Sequence, residues 1–342
     1  MSMTTKRLGF FSRVLDQTGP AERYRLLTEQ ILHAERLGFD AAWIAQHHFD
    51  SEEGGLPAPL VYLASLAART SRIRLGTGII TLSLENALRV AEDTAVLDLL
   101  SEGRLEIGLG SGGSAAAYTA FGLESSARGA IYGEKLDLLL RAWRGDPLEG
   151  GARLYPTAPR LHERLWQATF SVAGGIRAGQ AGDGLMLSRT QPKPDGATLW
   201  DVQNPIIDAY LHELPSGATP RILGSRSLFV ADDRQEALRL TEIGLERAAA
   251  RARSIGQHYP TGSLAELMAI NDMHVGTPDE VIASLSADTA LARATDLVFQ
   301  VHSADPPHPY ILRSIELLAT RVAPALGWAP PVPARSRAAA TA

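Results

Sequence analysis

The chain contains no cysteine, which excludes disulfides, thiolate metal sites and a cysteine nucleophile, and suits a reducing compartment. Basic residues are not in excess. The 33 Lys and Arg against 38 Asp and Glu leave a formal net charge of −5, without the electrostatic footprint of a nucleic-acid binder. No run of about 18 apolar residues is available to span a bilayer, and no charged-then-apolar leader opens the chain. A cytoplasmic protein with neither a membrane nor a nucleic-acid partner is expected. No G-x-G-x-x-G follows the first apolar run, and the glycine-rich turns lack the Lys and Ser/Thr of a P-loop. No Ser-His-Asp set stands out. His302, Asp305 and His308 are interrupted by Pro306-Pro307 and read as a structural loop, so no metal is expected.

What is present, in 342 residues of which 45% are hydrophobic, is a repeated alternation of short apolar runs with helical patterns. The runs at 7–12, 40–45, 73–80, 104–109, 168–173, 184–188, 221–230 and 296–302 read as eight strands. They are continuous rather than alternating, as in parallel strands buried on both faces. Helical spacing is read over 24–34, 60–67, 92–100, 130–143, 206–214, 234–253, 278–291 and 309–325. Residues 145–166 read as an insertion, and the polar loop 189–205 is long enough for a lid. The pattern predicts an α/β fold: a single (β/α)8 TIM barrel with insertions over residues 1–328, followed by a disordered tail at 329–342. A doubly wound sheet is the rival, but it does not normally need eight units.

In such a barrel the carboxyl ends of the strands form one mouth, where active sites lie. The chain is organised around GFDAAWIAQHHFD, residues 38–50, in which Gln46, His47 and His48 follow the second strand. Thr77-Gly78, Gly110-Ser111, Gly174-Gly175, Ser188-Arg189, Ser225-Arg226 and His302-Ser303 follow later strands. Exposed amides at a glycine-rich turn suit an anion. Gly174-Gly175 at a helix start, with Arg177 in the same turn, forms a second candidate anion site, and Arg226 is the next candidate cation. Small residues around a wide mouth suit a large flat ligand with one anionic end, the shape of flavin mononucleotide (FMN).

The order of LGFDAAWIAQHHF, LAARTSRIRLGTGIITL, RVAEDTAVLDLLSEGRLEIGLGSGG and AFG closely resembles the bacterial luciferase-like, flavin-dependent monooxygenases. WQATFSVAGG, GDGLMLSR, HVGTPDEVIASL and QVHSADPPH extend the likeness and resemble an FMN-dependent alkanal monooxygenase subgroup. The resemblance implies a (β/α)8 barrel that takes reduced FMN from a separate NAD(P)H flavin reductase, uses O2 to oxidise an aldehyde or similar small organic substrate, and is usually a homodimer. By position it makes His47 the catalytic residue. Gln46 stands where luciferases carry a flavin-contacting glutamate, Gly78 and Ile79 match residues beside the isoalloxazine ring, and Ser188 matches a flavin-contacting serine. Gly110 and Ser111 replace a Cys-Arg pair whose arginine holds the phosphate. Thr77, Gly174, Gly175 and Arg177 join the expected cofactor set, and His48, Tyr118 and His302 the substrate pocket. The alternatives are a deazaflavin-dependent oxidoreductase, a non-catalytic flavin-binding protein and, less well supported for want of a nucleophile-base set, a hydrolase on the same fold.

Overall fold

Strands with no polar face must be covered on both sides. In the computed structural model, which describes residues 6–301 and 306–328, this produces a barrel. The expected tail and His302 lie outside the described residues. The strands are β1 (Arg7–Ser12), β2 (Ala41–Ile44), β3 (Arg74–Thr81), β4 (Leu105–Gly110), β5 (Leu165–Ala168), β6 (Gly184–Leu187), β7 (Ile222–Val230), β8 (Met273–Gly276) and β9 (Asp296–Gln300). All of β2, β4, β6, β7 and β9 is buried. β1 to β6 pair in order, β6 pairs with β7, β7 with β9 and β9 with β1, all parallel, so eight strands close.

Helices α1 (Pro20–Arg36), α2 (Pro59–Ala67), α3 (Ala87–Leu100), α4 (Ala115–Ala120), α5 (Arg128–Arg144), α6 (Val172–Ala181) and α7 (Leu199–Glu213) connect the strands up to β7. After it come α8 (Arg234–Ser254), α9 (Leu264–Ile270), α10 (Pro278–Ser286), α11 (Thr289–Arg293) and α12 (His308–Leu317). Gly38 ends α1 as expected, with φ +93° just past the helix.

Three readings of the sequence are corrected. The fifth strand is Leu165–Ala168, which begins within the stretch taken for an insertion and overlaps the expected strand only at Ala168. Most of the ATFSVA run expected as that strand is a turn and the start of α6. Ser171 stops extension there: its hydroxyl accepts the Gly174 amide at 3.2 Å and caps the helix. The lid loop is shorter than expected, because α7 begins at Leu199 behind a Thr198/Asp201 capping box and runs through Pro205. β8 was missed. It is four residues long and pairs outside the barrel with the end of β7, Ser227 to Val230.

The bottom of the barrel is plugged. Trp43 and Trp166 meet edge to face at 5.7 Å. Gly76 and Gly184 make room for them, since a methyl group at either position stands 2.4 Å from an indole carbon. Below, the Trp166 indole donates to Glu106 at 2.7 Å, Arg74 pairs with the same carboxylate at 2.5 Å, and Arg7 pairs with Asp296 at 2.7 Å. Access is left to the opposite end.

Candidate active site

At the carboxyl ends of the strands lies a cavity of about 790 Å³, within the range of small-molecule sites. Its wall is apolar where strands face inward: Phe11, Trp43, Ile79, Met186, Leu223 and Val298. Ser111, Ser188, Thr190 and Ser225 add hydroxyls. Arg13, Arg128, Arg177 and Arg189 line it against one carboxylate, Glu53, among the described residues. The lining therefore favours an anion.

His47 and His48 both face this cavity. Continued strand alternation would send adjacent residues to opposite sides, but β2 ends at Ile44 and the chain turns, with Phe49 at φ +63°. His47 Nδ1 stands 3.6 Å from Glu53 Oε1. The His47 imidazole beside it, through its close polar contact first and then its charge, holds the Glu53 carboxyl below its ordinary range despite burial. The His48 ring packs edge to face on Phe121 at 5.1 Å, and its Nε2 is buried without a hydrogen-bond partner. Burial, and secondarily His47, push His48 below the usual histidine range, while Glu85 opposes them.

Gln46 reaches the cavity wall but is committed to structure. Its amide donates to Pro57 O at 3.0 Å and to Glu85 at 2.6 Å, and its carbonyl accepts the Thr81 amide at 2.7 Å. It staples the end of β2 to the end of β3. Gly78 and Ile79 line the cavity beside Gly110 and Ser111. A side chain at Gly110 would meet Ile79 Cδ1 at 2.4 Å. Tyr118, buried on α4, donates to Ser111 O at 2.6 Å and fixes that turn. Ser188 lines the cavity, and its hydroxyl accepts the Thr190 amide at 3.2 Å.

Of the other expected residues among those described, only Arg177 reaches the cavity. Thr77 is fully buried and spans β3 and β4, exchanging hydrogen bonds of 2.9 Å with both the amide and the carbonyl of Gly108. The amides of Gly174 and Gly175 are taken by Ser171 O at 3.1 Å each, and neither glycine is part of the cavity wall. Gly175 instead lets α6 pack on α7, because a Cβ there would stand 2.7 Å from Ile206 O. Arg177 does reach the cavity, donating from Nε to Gln167 at 2.8 Å with its guanidinium over the Tyr132 ring. Arg226 does not reach it. It faces outward between the inward-facing Ser225 and Ser227 and is buried against Asp288 at 2.5 Å. Sequence reading missed Glu53 and Arg128, whereas Arg189, read with Ser188 at the end of the sixth strand, does line the mouth. The charges of Glu53 and Arg128 were visible in the sequence, but their place at the mouth depends on loop paths.

A parallel barrel with histidines, arginines and hydroxyls converging on one apolar cavity at this face has the form of an enzyme. Residues 7–295 match the luciferase-like monooxygenases, and the chain belongs to that family. The crystal structure of the monooxygenase RslO1 from Streptomyces bottropensis is similar, with TM-score 0.79 and 27% identity over 93% of this chain and 99% of that one. Protein y4vJ of Sinorhizobium fredii is 27% identical over 320 residues, 87% of this chain and 90% of its own. The oxygenase component of the flavin-dependent trigonelline monooxygenase of Acinetobacter baylyi is 30% identical over 136 residues, 39% of this chain and 38% of its own. An F420-dependent glucose-6-phosphate dehydrogenase of Amycolatopsis mediterranei is 29% identical over 184 residues, 50% of this chain and 54% of its own.

Proposed function

We propose that the protein is the oxygenase of a two-component system, taking reduced FMN from a separate NAD(P)H flavin reductase and using O2 to oxidise an aldehyde or similar small carbonyl compound. The observation that carries this reading is the cavity itself: one apolar wall, a set of arginines and His47 share a single space of about 790 Å³. These residues fit the cofactor. Ile79, Met186, Leu223 and Val298 offer flat apolar contact for a ring system. Ser188 and Ser225 offer hydroxyls for its polar edge. Arg177 and Arg189 are the cations for a phosphate where Ser111 replaces the family's arginine.

Bound reduced FMN supplies the electrons with which O2 is activated. The chain supplies the rest. The closed barrel floor and apolar walls keep bulk water from the reacting atoms. His47 holds and moves a proton to and from the reacting oxygen, and His48 with Phe121 forms the substrate side of the pocket. Gln46 acts through the backbone of Thr81, keeping the β2 and β3 ends in register around His47.

A second reading, hydride transfer with a deazaflavin, is supported by the likeness to the F420-dependent dehydrogenase. Anaerobic titration of the purified protein with each reduced cofactor separates the two. The reduced FMN complex is expected to be the tighter. Tighter binding of reduced deazaflavin would overturn the proposed cofactor.

A further inference from the structure

The segment that follows His47 doubles back so that Glu53 returns to the imidazole. Asp50 nucleates this turn, its side chain accepting the amides of Glu52 at 2.9 Å and Glu53 at 3.2 Å. Arg251 pairs with Asp50 from α8. The turn is then tied down from β1 and α1. Arg13 donates to Glu53 O at 3.2 Å, Gly55 N donates to Arg13 O at 2.9 Å, and Arg23 donates to Ser51 O at 2.7 Å. Gly54 lies flat against the histidine, since a Cβ there would stand 2.3 Å from His47 Cδ2. The His47 amide itself donates to Leu56 O at 3.0 Å. Thus the imidazole is held on one face by a residue without a side chain and at Nδ1 by a carboxylate.

We infer that Glu53 is a positioning residue for His47: its carboxylate takes the Nδ1 proton as a hydrogen bond, fixes the Nδ1–H tautomer and the ring orientation, and leaves Nε2 as the nitrogen that exchanges protons in the cavity. The separation of 3.6 Å between Nδ1 and Oε1 is wider than a hydrogen bond, as is common for catalytic pairs before a ligand closes the site. When Nε2 takes up a proton, the ring becomes an imidazolium whose charge Glu53 balances, and the same proton returns through Nε2. A histidine oriented by a carboxylate on its second nitrogen is a recurrent way to set tautomer and basicity. The inference rests on the reading of His47 as the proton-handling residue.

The test uses the full chain without cofactor, labelled with nitrogen-15 histidine, with the neutral His47 ring identified by its absence from His47→Asn. In the wild type His47 is expected in the Nδ1–H form. Glu53→Leu removes the acceptor and moves the ring to the Nε2–H form that an unpartnered histidine prefers. Glu53→Gln, whose amide oxygen still accepts, retains the Nδ1–H form. Glu53→Asp falls one methylene short and gives a mixture, which keeps the test alive if Glu53→Leu does not fold. In turnover with reduced FMN, Glu53→Leu is expected to lower the yield of oxidised product by about ten- to a hundredfold, with reduced-FMN affinity within about twofold of the wild type. A wild-type ring in the Nε2–H form, or tautomer populations unmoved by Glu53→Leu and Glu53→Asp, overturns the inference. Because the tautomer is read without flavin, failure of the flavin reading leaves that arm intact.

Discussion

Replacing His47 by asparagine is expected to leave the fold and reduced-FMN binding nearly unchanged, and to cut coupled oxygenation by about 10²–10⁴-fold, the usual scale of a lost general acid-base group. Hydrogen peroxide should be released in place of oxidised product. The imidazole sits at the edge of the barrel mouth, with its ring against Gly54 and Nδ1 toward Glu53. Its removal costs little packing, because asparagine occupies a smaller part of the same space and the loop is held by Asp50, Arg13 and Arg23. The checks are product and peroxide yields per reduced FMN consumed, alongside the affinity measured anaerobically. If His47 serves only to shape its loop, the mutant instead loses stability and flavin affinity while turnover in the bound fraction stays coupled. Full coupled oxygenation by the mutant would show that His47 is not the catalytic residue.

The second large effect is expected outside the cavity, on the other face of β7. Arg226 and Asp288 are both almost fully buried, with Nε to Oδ2 at 2.5 Å and Nη2 to Oδ1 at 3.2 Å. Their remaining polar atoms are also used. Arg226 donates to Ser225 O at 2.7 Å, and Asp288 Oδ1 accepts the amides of Ala290 at 3.0 Å and Leu291 at 2.9 Å, capping α11. Removing either partner strands a charge in a region that excludes water, so Arg226→Met and Asp288→Ala should each lower unfolding free energy by about 3–5 kcal/mol. Asp288→Ala also loses a helix cap worth about 1 kcal/mol. The double variant should be less destabilised than the two losses added together, because no lone charge remains buried. Urea unfolding of the three variants measures this. Single variants within about 1 kcal/mol of the wild type would show that the pair is not structurally coupled as its geometry implies.

Arg226 also marks the boundary of what the sequence makes legible. Its neighbour Ser225 lines the cavity, and in a strand adjacent residues face opposite ways. Position near a strand end placed both at the mouth, whereas side-chain parity separates them once the register of β7 is known. The barrel and the His47 position were readable because continuous apolar runs and helical spacing are local signals. β5 was misplaced because LWQA is only four residues long and follows a Pro- and Arg-containing stretch, while the more apolar ATFSVA run next to it hides a cap at Ser171. Gly174 and Gly175 look like an anion cradle in sequence, yet their amides belong to Ser171 and the lack of a side chain at Gly175 serves the approach of α7. Gln46, Glu53 and Arg189 acquire their settings from partners that the folded loops bring near: Glu85, His47 and Ser227. No spacing rule in the sequence encodes those meetings.

The central claim is that this barrel inserts an atom of O2 into a small organic substrate with reduced FMN as the electron source. The direct measurement is turnover under oxygen-18 gas, with FMN, NAD(P)H and a separate flavin reductase, against a panel of small aldehydes and cyclic ketones, followed by mass spectrometry of the products. The account predicts incorporation of a labelled oxygen atom into the product from at least one member of the panel, dependent on FMN and lost in His47→Asn. Substrate oxidation without label, or oxygen consumption that ends only in hydrogen peroxide across the whole panel, would contradict it.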